Sequence, residues 1–206
     1  MTHPRRVFLA GASSLIGVRI IPLLLEAGDT VAAMTRTPAK ADALRALGAE
    51  PVVVDAFDRD ALTATVAAFA PGVVLHNLTD LPDRAADLPG ARPAHARLLR
   101  AGTRNLVDAA GGARIVAQSI AWKADGETGS AYEELERAVL DADGVVVRFG
   151  QFFGPGTYFP DGPPDPPRIH VDEAARRAVA AIDEPSGVIV ATDHAPDRHE
   201  LGTITR

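Results

Sequence analysis

Short apolar runs alternate along this chain with longer segments in which apolar residues return every three or four positions. "RRVFLA" (5–10) is rich in strand formers and ends at Gly11. "TVAAMTR" (30–36), "PVVVDA" (51–56), "GVVLHN" (72–77), "ARIVAQS" (113–119), "GVVVRFG" (144–150) and "GVIVAT" (187–192) read the same way, giving seven expected strands. The segments between them have helical spacing. They are 15–28, 38–48, 58–70, 92–111, 131–142 and 170–182. Several carry end signals: Gly28 and Gly48 as C-terminal glycines, Pro38 near a start, and Asp58 and Asp60 in a first turn. In the long segment 92–111 the apolar face is Leu99, Leu106 and Ala110. In 170–182 it is Val171, Ala174, Ala175, Ala178 and Ile182.

Continuous apolar strands alternating with helices predict an α/β fold, a doubly wound parallel sheet of about seven strands with helices on both faces. Its crossovers should be right-handed. One segment departs from the pattern, the proline- and glycine-rich "GPGTYFPDGPPDPP" (154–167), which reads as a stiff loop.

Length and composition narrow the picture. With 206 residues, 47% hydrophobic and 23% charged, the chain suits one globular domain, residues 1–206. A net charge of −6 argues against a general nucleic-acid binder. The absence of cysteine excludes disulfides and thiolate metal sites. No apolar stretch reaches membrane-spanning length, and the N-terminal run is too short for a secretory signal. A cytoplasmic protein without membrane or nucleic-acid partners is expected.

The chemistry begins at the first strand–helix junction. In "GASSLIG", Gly11, Ser14 and Gly17 occupy a G-x-x-G-x-x-G frame. The first glycine permits a tight turn and the last lets the helix approach the sheet. Backbone N–H groups of the turn, with the helix dipole, favour a pyrophosphate. Gly11, Ser13, Ser14, Leu15, Ile16 and Gly17 are thus candidate cofactor contacts, and the hydroxyl of Ser14 could donate to phosphate.

Further motifs follow in order: "VVVDAFDRDAL", "GTRNLVDAA", "VVVRFGQFFGPGT" and "IHVDEAARRAV". Together with "GASSLIG" they resemble the extended or atypical branch of the short-chain dehydrogenase/reductase superfamily, which includes nucleotide-sugar epimerase-like and NmrA-like proteins. The resemblance covers nearly the whole chain. It implies an adenine contact at Asp55, beside Ala56, and cofactor-lining roles for Asn77, Leu78 and Thr79 in "HNLTD" and for Gln151. His76 reads as a packed strand-end residue. His170 and Asp172 read as structural, and no metal is expected.

The end of the second strand faces the adenosine ribose, where an acid would suit NAD and a base the 2′-phosphate of NADP. The chain has "MTRTPAK", with Thr35, Arg36 and then Lys40. The planar fork of an arginine matches phosphate. NADP(H) is expected over NAD(H).

The resemblance also implies an acid–base site: a tyrosine toward the substrate oxygen, a lysine four residues on, and a serine at the end of the fifth strand. Ser119 and Tyr132 match the serine and the tyrosine. Glu136 stands where the lysine should be. A nearby carboxylate disfavours phenolate, so Glu136 should hold Tyr132 away from a base's protonation state. Lys123 is a remote substitute. The bland alternative makes Glu133, Glu134, Glu136 and Arg137 an exposed helical face, with a Glu133–Arg137 pair.

Extended members carry a substrate lobe after the sixth strand. Here it is reduced to the loop 151–168 and the tail 199–206. Phe152, Phe153, Tyr158 and Phe159 cluster in that loop, in a chain only 5% aromatic. They suit an apolar small-molecule ligand or a homodimer interface. Three functions stay open. One is an NADP(H)-dependent oxidoreductase, epimerase or dehydratase acting on a small or polyketide-like substrate. The second is a catalytically weak NADP(H)-binding sensor or partner-binding protein of NmrA type. The third is a vestigial cofactor site with an assisting, cyclase-like role.

Overall fold

In the computed structural model, residues 4–193 are described. Seven strands form one parallel sheet in the order β3-β2-β1-β4-β5-β6-β9. They are β1 (Arg6–Ala10), β2 (Thr30–Thr35), β3 (Glu50–Val53), β4 (Val73–His76), β5 (Arg114–Ile120), β6 (Val145–Phe149) and β9 (Gly187–Ala191). All seven overlap the expected apolar runs, though β3 ends at Val53, three residues before the expected 56. The pairing is parallel throughout, as with Phe8 opposite both Ala32 of β2 and Val74 of β4.

The alternation of the strands divides the core in two. Val7, Leu9, Val116 and Val147 face helices α1 (Gly17–Glu26) and α7 (Val171–Ala180), among Ile20, Leu24 and Ala174. Phe8, Ala10, Ile115 and Val146 face α3 (Arg59–Phe69), α5 (Thr103–Ala110) and α6 (Gly126–Asp141), among Leu62, Leu106 and Leu135. The inner strands β1, β2, β4 and β6 therefore bury both faces, which is why they are apolar without a polar phase, while the edge strands β3 and β9 leave Val53 and Val188 exposed. The strand order reverses at β1, with β2 on one side and β4 on the other. In such sheets the crevice for a ligand opens there, past the carboxyl ends of the strands.

Local details differ from expectation, and α6 begins at Gly126, five residues before the expected 131. The segment expected as one helix over 92–111 begins earlier, as α4 (Leu88–Arg97), passes through a π-helical turn at Leu98–Gly102 and continues as α5. Gly102 ends that turn, and an added Cβ there would stand 2.8 Å from Leu98 Cδ1. The helix expected from Pro38 opens as a 3₁₀ turn, Pro38–Lys40, before α2 (Ala41–Ala46). The loop 154–167 is bracketed by a small parallel ribbon of β7 (Gln151–Phe153) and β8 (Arg168–His170). Strands of three residues are too short to show a period. The tail 199–206 lies outside the described residues.

Candidate functional site

The turn between β1 and α1 is fixed by its glycines. Gly11 has φ +84°, and a Cβ there would lie 2.3 Å from the carbonyl oxygen of Asn77. A Cβ on Gly17 would lie 2.4 Å from the carbonyl oxygen of Gly11. Any larger residue would push the turn off the end of β4. Ser14 accepts a hydrogen bond from the Gly17 N–H at 3.1 Å, so its own hydroxyl proton remains free to donate. The N–H groups of Ser13, Leu15 and Ile16 have no acceptor among the described residues. Donors without acceptors, at the N-terminal end of a ten-residue helix, suit a diphosphate. The turn thus fits the pyrophosphate of a dinucleotide.

Arg36 follows β2 and is about half exposed. It pairs with Asp80 of the loop after β4, Nη2 to Oδ1 at 2.5 Å. Thr35 is buried and links to Ser13, Oγ1 to Oγ at 3.2 Å. Asp55 is exposed and accepts the N–H of Phe57, forming a local turn at the end of β3. Ala56 is buried beside it, and its carbonyl accepts from Asn105 of α5. Asn77 is buried and donates to Gln118 of β5 at 3.2 Å. Leu78 donates its N–H to His76 Nδ1, and His76 Nε2 meets the hydroxyl of Thr103 at 2.7 Å. Burial pushes His76 down to about 4, so it is a packed neutral strand-end ring.

At the ends of β5 and β6 the expectation for Glu136 is corrected. Its residue is buried, not part of a solvent face. Its carboxylate takes both Arg148 Nε at 2.8 Å and Nη2 at 2.6 Å, and accepts from Ser119 Oγ at 2.6 Å. Arg148 sits within the apolar strand β6 and is held more firmly protonated by this pairing. Glu136 therefore acts as a brace between α6, β5 and β6. The hydroxyl of Ser119 is spent on that brace and does not meet Tyr132.

Tyr132 turns the other way. Its hydroxyl lies 3.1 Å from His95 Nε2 on α4, and the two rings meet edge to face. Burial raises the phenol's pKa. The cause differs from the one anticipated, since the Glu136 charge is absorbed by Arg148. The Glu133–Arg137 pair is not formed among the described residues. On α6 it is Glu134 and Glu127 that hold a cation, Arg100.

The loop 154–167 is strapped across this edge. Tyr158 donates its hydroxyl to the Pro82 carbonyl. Arg19 of α1 reaches the carbonyls of Leu15 and Pro155, each at 2.7 Å, and Asp172 of α7 at 2.9 Å. Phe152 packs on Phe149, and Phe153 on His170. Of the four aromatic residues near the loop, only Phe159 is exposed. Leu81 and Trp122, on the loops after β4 and β5, are also exposed. Gln151 is tied to its own loop through Asp165 and Pro167.

Residues 11–143 match the family model described as NAD(P)H-binding. The chain belongs to that family. A Streptomyces sp. protein, the 3-diazoavenalumate denitrifying reductase, is 37% identical over 238 positions, covering 93% of this chain and 77% of that protein. Those positions outnumber the residues of this chain, so the relative carries extra residues within the matched stretch. Among solved structures, the Bordetella bronchiseptica enzyme WbmH in complex with NAD+ superposes with a TM-score of 0.73 at 19% identity, covering 93% of this chain and 76% of that one. A short chain dehydrogenase from Burkholderia cenocepacia in complex with NADP gives 0.70 at 19% identity, with 91% and 87% covered. The Thermus thermophilus UDP-glucose 4-epimerase in complex with NAD gives 0.72 at 17% identity, with 91% and 77% covered. The fold is thus that of epimerases and short-chain dehydrogenases, and the homologue is a reductase.

Within this family member, the expected residues fall into two groups. Gly11, Ser13, Ser14, Leu15, Ile16 and Gly17 form one turn, with Asn77 against its back and Arg36 beyond Thr35. Ser119 and Tyr132, expected to work together, are engaged by different partners. Thr79 lies in the loop between them, next to Asp80. The residues that sequence reading passed over are Asp80, His95 and Arg148. Only Arg148 left a signal, a charge inside an otherwise apolar strand, which demands a buried partner.

Proposed function

We propose that this protein is an NADPH-dependent reductase that removes dinitrogen from a small, planar diazo-bearing arene. The observation that carries the reading is the state of the acid–base edge. Among the described residues no lysine pairs with Tyr132, and Ser119 and Glu136 are closed onto each other by Arg148. Carbonyl reduction consumes a hydride and a proton, and relies on a poised acid. Reductive loss of nitrogen from an aryl diazonium needs only the hydride, which a bound reduced nicotinamide supplies. The aryl C–H bond forms, the C–N bond breaks, and its electron pair leaves on N₂ with no proton taken up. A site without an activated phenol is suited to that balance. The Streptomyces relative, a denitrifying reductase by name, supports the same direction.

What the chain supplies is binding and exclusion. Ser13–Gly17 would hold the diphosphate, and Arg36 would exchange Asp80 for the 2′-phosphate that marks NADP(H). Phe159, Trp122 and Leu81 are exposed and offer apolar surface to a flat ring. A diazonium is cationic and gains from aromatic faces. The expected result is one NADPH oxidised per N₂ released from an aryl diazo acid, with deuterium from the labelled cofactor appearing on the ring carbon. NADPH binding without consumption across a panel of diazo arenes would instead favour a second reading, an NADP(H)-binding sensor. The commitment of Ser119 and Tyr132 to internal partners is what speaks for that alternative.

A further inference from the structure

His95 lies on α4, 2% exposed, and touches both sides of the crevice edge. Its Nδ1 is 3.2 Å from the backbone nitrogen of Asp80, and its Nε2 is 3.1 Å from the Tyr132 hydroxyl. A backbone N–H has only a proton to give, so Nδ1 must offer its lone pair. A neutral imidazole then carries its one proton on Nε2. That proton is donated to the Tyr132 oxygen. The opposite arrangement, with the phenol donating to Nε2, would put a proton on Nδ1 facing the Asp80 N–H, donor against donor. Burial lowers the pKa of His95 despite the Asp80 charge and raises that of Tyr132, so neither ring gains or loses a charge easily.

We propose that His95 is a positioning residue that fixes Tyr132 as a one-way hydrogen-bond donor, so that the site selects substrates bearing an acceptor oxygen at the Tyr132 end. The part that concerns substrate choice rests on the reductase reading above; the part that concerns the proton does not. Because the hydroxyl oxygen already accepts from His95, its own proton is left over for a third group. The backbone that sets Nδ1 belongs to Asp80, whose side chain holds Arg36. The direction of the donor is therefore anchored to the loop that holds Arg36.

The proton placement is tested on the full-length protein labelled with ¹⁵N-histidine. Two-bond proton–nitrogen correlations, assigned by the signals lost in His95→Gln, should show the Nε2–H tautomer at neutral pH. In Tyr132→Phe the Nε2 shift should move while Nδ1 stays. An Nδ1–H pattern, a doubly protonated ring, or an Nε2 shift unmoved by Tyr132→Phe overturns the proposal, whether or not any diazo substrate is turned over. The kinetic arm uses a diazo arene that carries a ring hydroxyl. His95→Leu should lower kcat by about tenfold or more with the NADPH Kd unchanged. His95→Gln, whose amide oxygen faces Asp80 and whose NH₂ faces Tyr132, should restore most of the loss. Unchanged kcat in folded His95→Leu, or a glutamine variant as slow as the leucine one, refutes the positioning role.

Discussion

The turn at the start of α1 and the edge around Glu136 lie at the same end of the sheet, yet they are built on opposite plans. In the turn, backbone geometry does the work. Glycine is forced by contacts of 2.3–2.4 Å to neighbouring carbonyls, and several N–H groups have no acceptor among the described residues. At the edge, side chains do the work and each finds a partner inside the protein: Ser119 on Glu136, Glu136 on Arg148, Tyr132 on His95. One region is arranged to receive an anion. The other is arranged to stay as it is. A protein of this family can thus keep the phosphate-binding turn while Ser119 and Glu136 are turned to bracing with Arg148.

The largest test of that contrast is at the brace. Arg148→Leu leaves a buried carboxylate without its cation and should cost about 3 kcal/mol in urea denaturation, the low end for a buried pair because Arg148 is partly exposed. The double variant Arg148→Leu with Glu136→Leu should be more stable than the single one. If Arg148→Leu is neutral, the edge is not a brace. Gly11→Ala attacks the turn. A side chain at φ +84° against the Asn77 carbonyl should cost about 2–3 kcal/mol and abolish NADPH binding, read by melting and by calorimetry.

The buried ring at the back of the turn gives a smaller effect with a defined sign. His76 is lowered from its ordinary 6.5 to about 4. Between those values the unfolded chain binds more protons than the folded one, so stability is full above the upper value and falls as pH drops through the window. About 2 kcal/mol should be lost between pH 7 and pH 5, and His76→Gln should flatten that part of the slope relative to wild type. The smallest effect separates the nucleotides. Arg36→Ala should weaken NADPH about tenfold and leave NADH unchanged. Equal weakening of both would remove the 2′-phosphate assignment.

The fold was legible because each strand of the main sheet is a continuous apolar run and the helices between carry their own periodicity and stops. The phosphate turn was legible for the same local reason: seven consecutive residues contain it. The β7–β8 ribbon escaped because it is three residues deep. The edge was misread where the deciding partner is far away. Glu136 looked like one of several surface acids on a helix, and the partners that satisfy it once buried, Arg148 and Ser119, stand twelve and seventeen residues away on other elements. Tyr132 and His95 are 37 residues apart and Asp80 fifteen further back. No local pattern encodes such a triad, and family resemblance supplied a different expectation for the same tyrosine.

The strap made by Tyr158 on Pro82 and by Arg19 on Pro155 has a bearing on what the crevice admits. Both contacts fall near the start of the aromatic loop, Pro155 on α1 and Tyr158 on the segment after β4. That stretch is therefore a fixed post, not a swinging door. Residues added beyond Tyr158 would alter the loop without loosening either mooring.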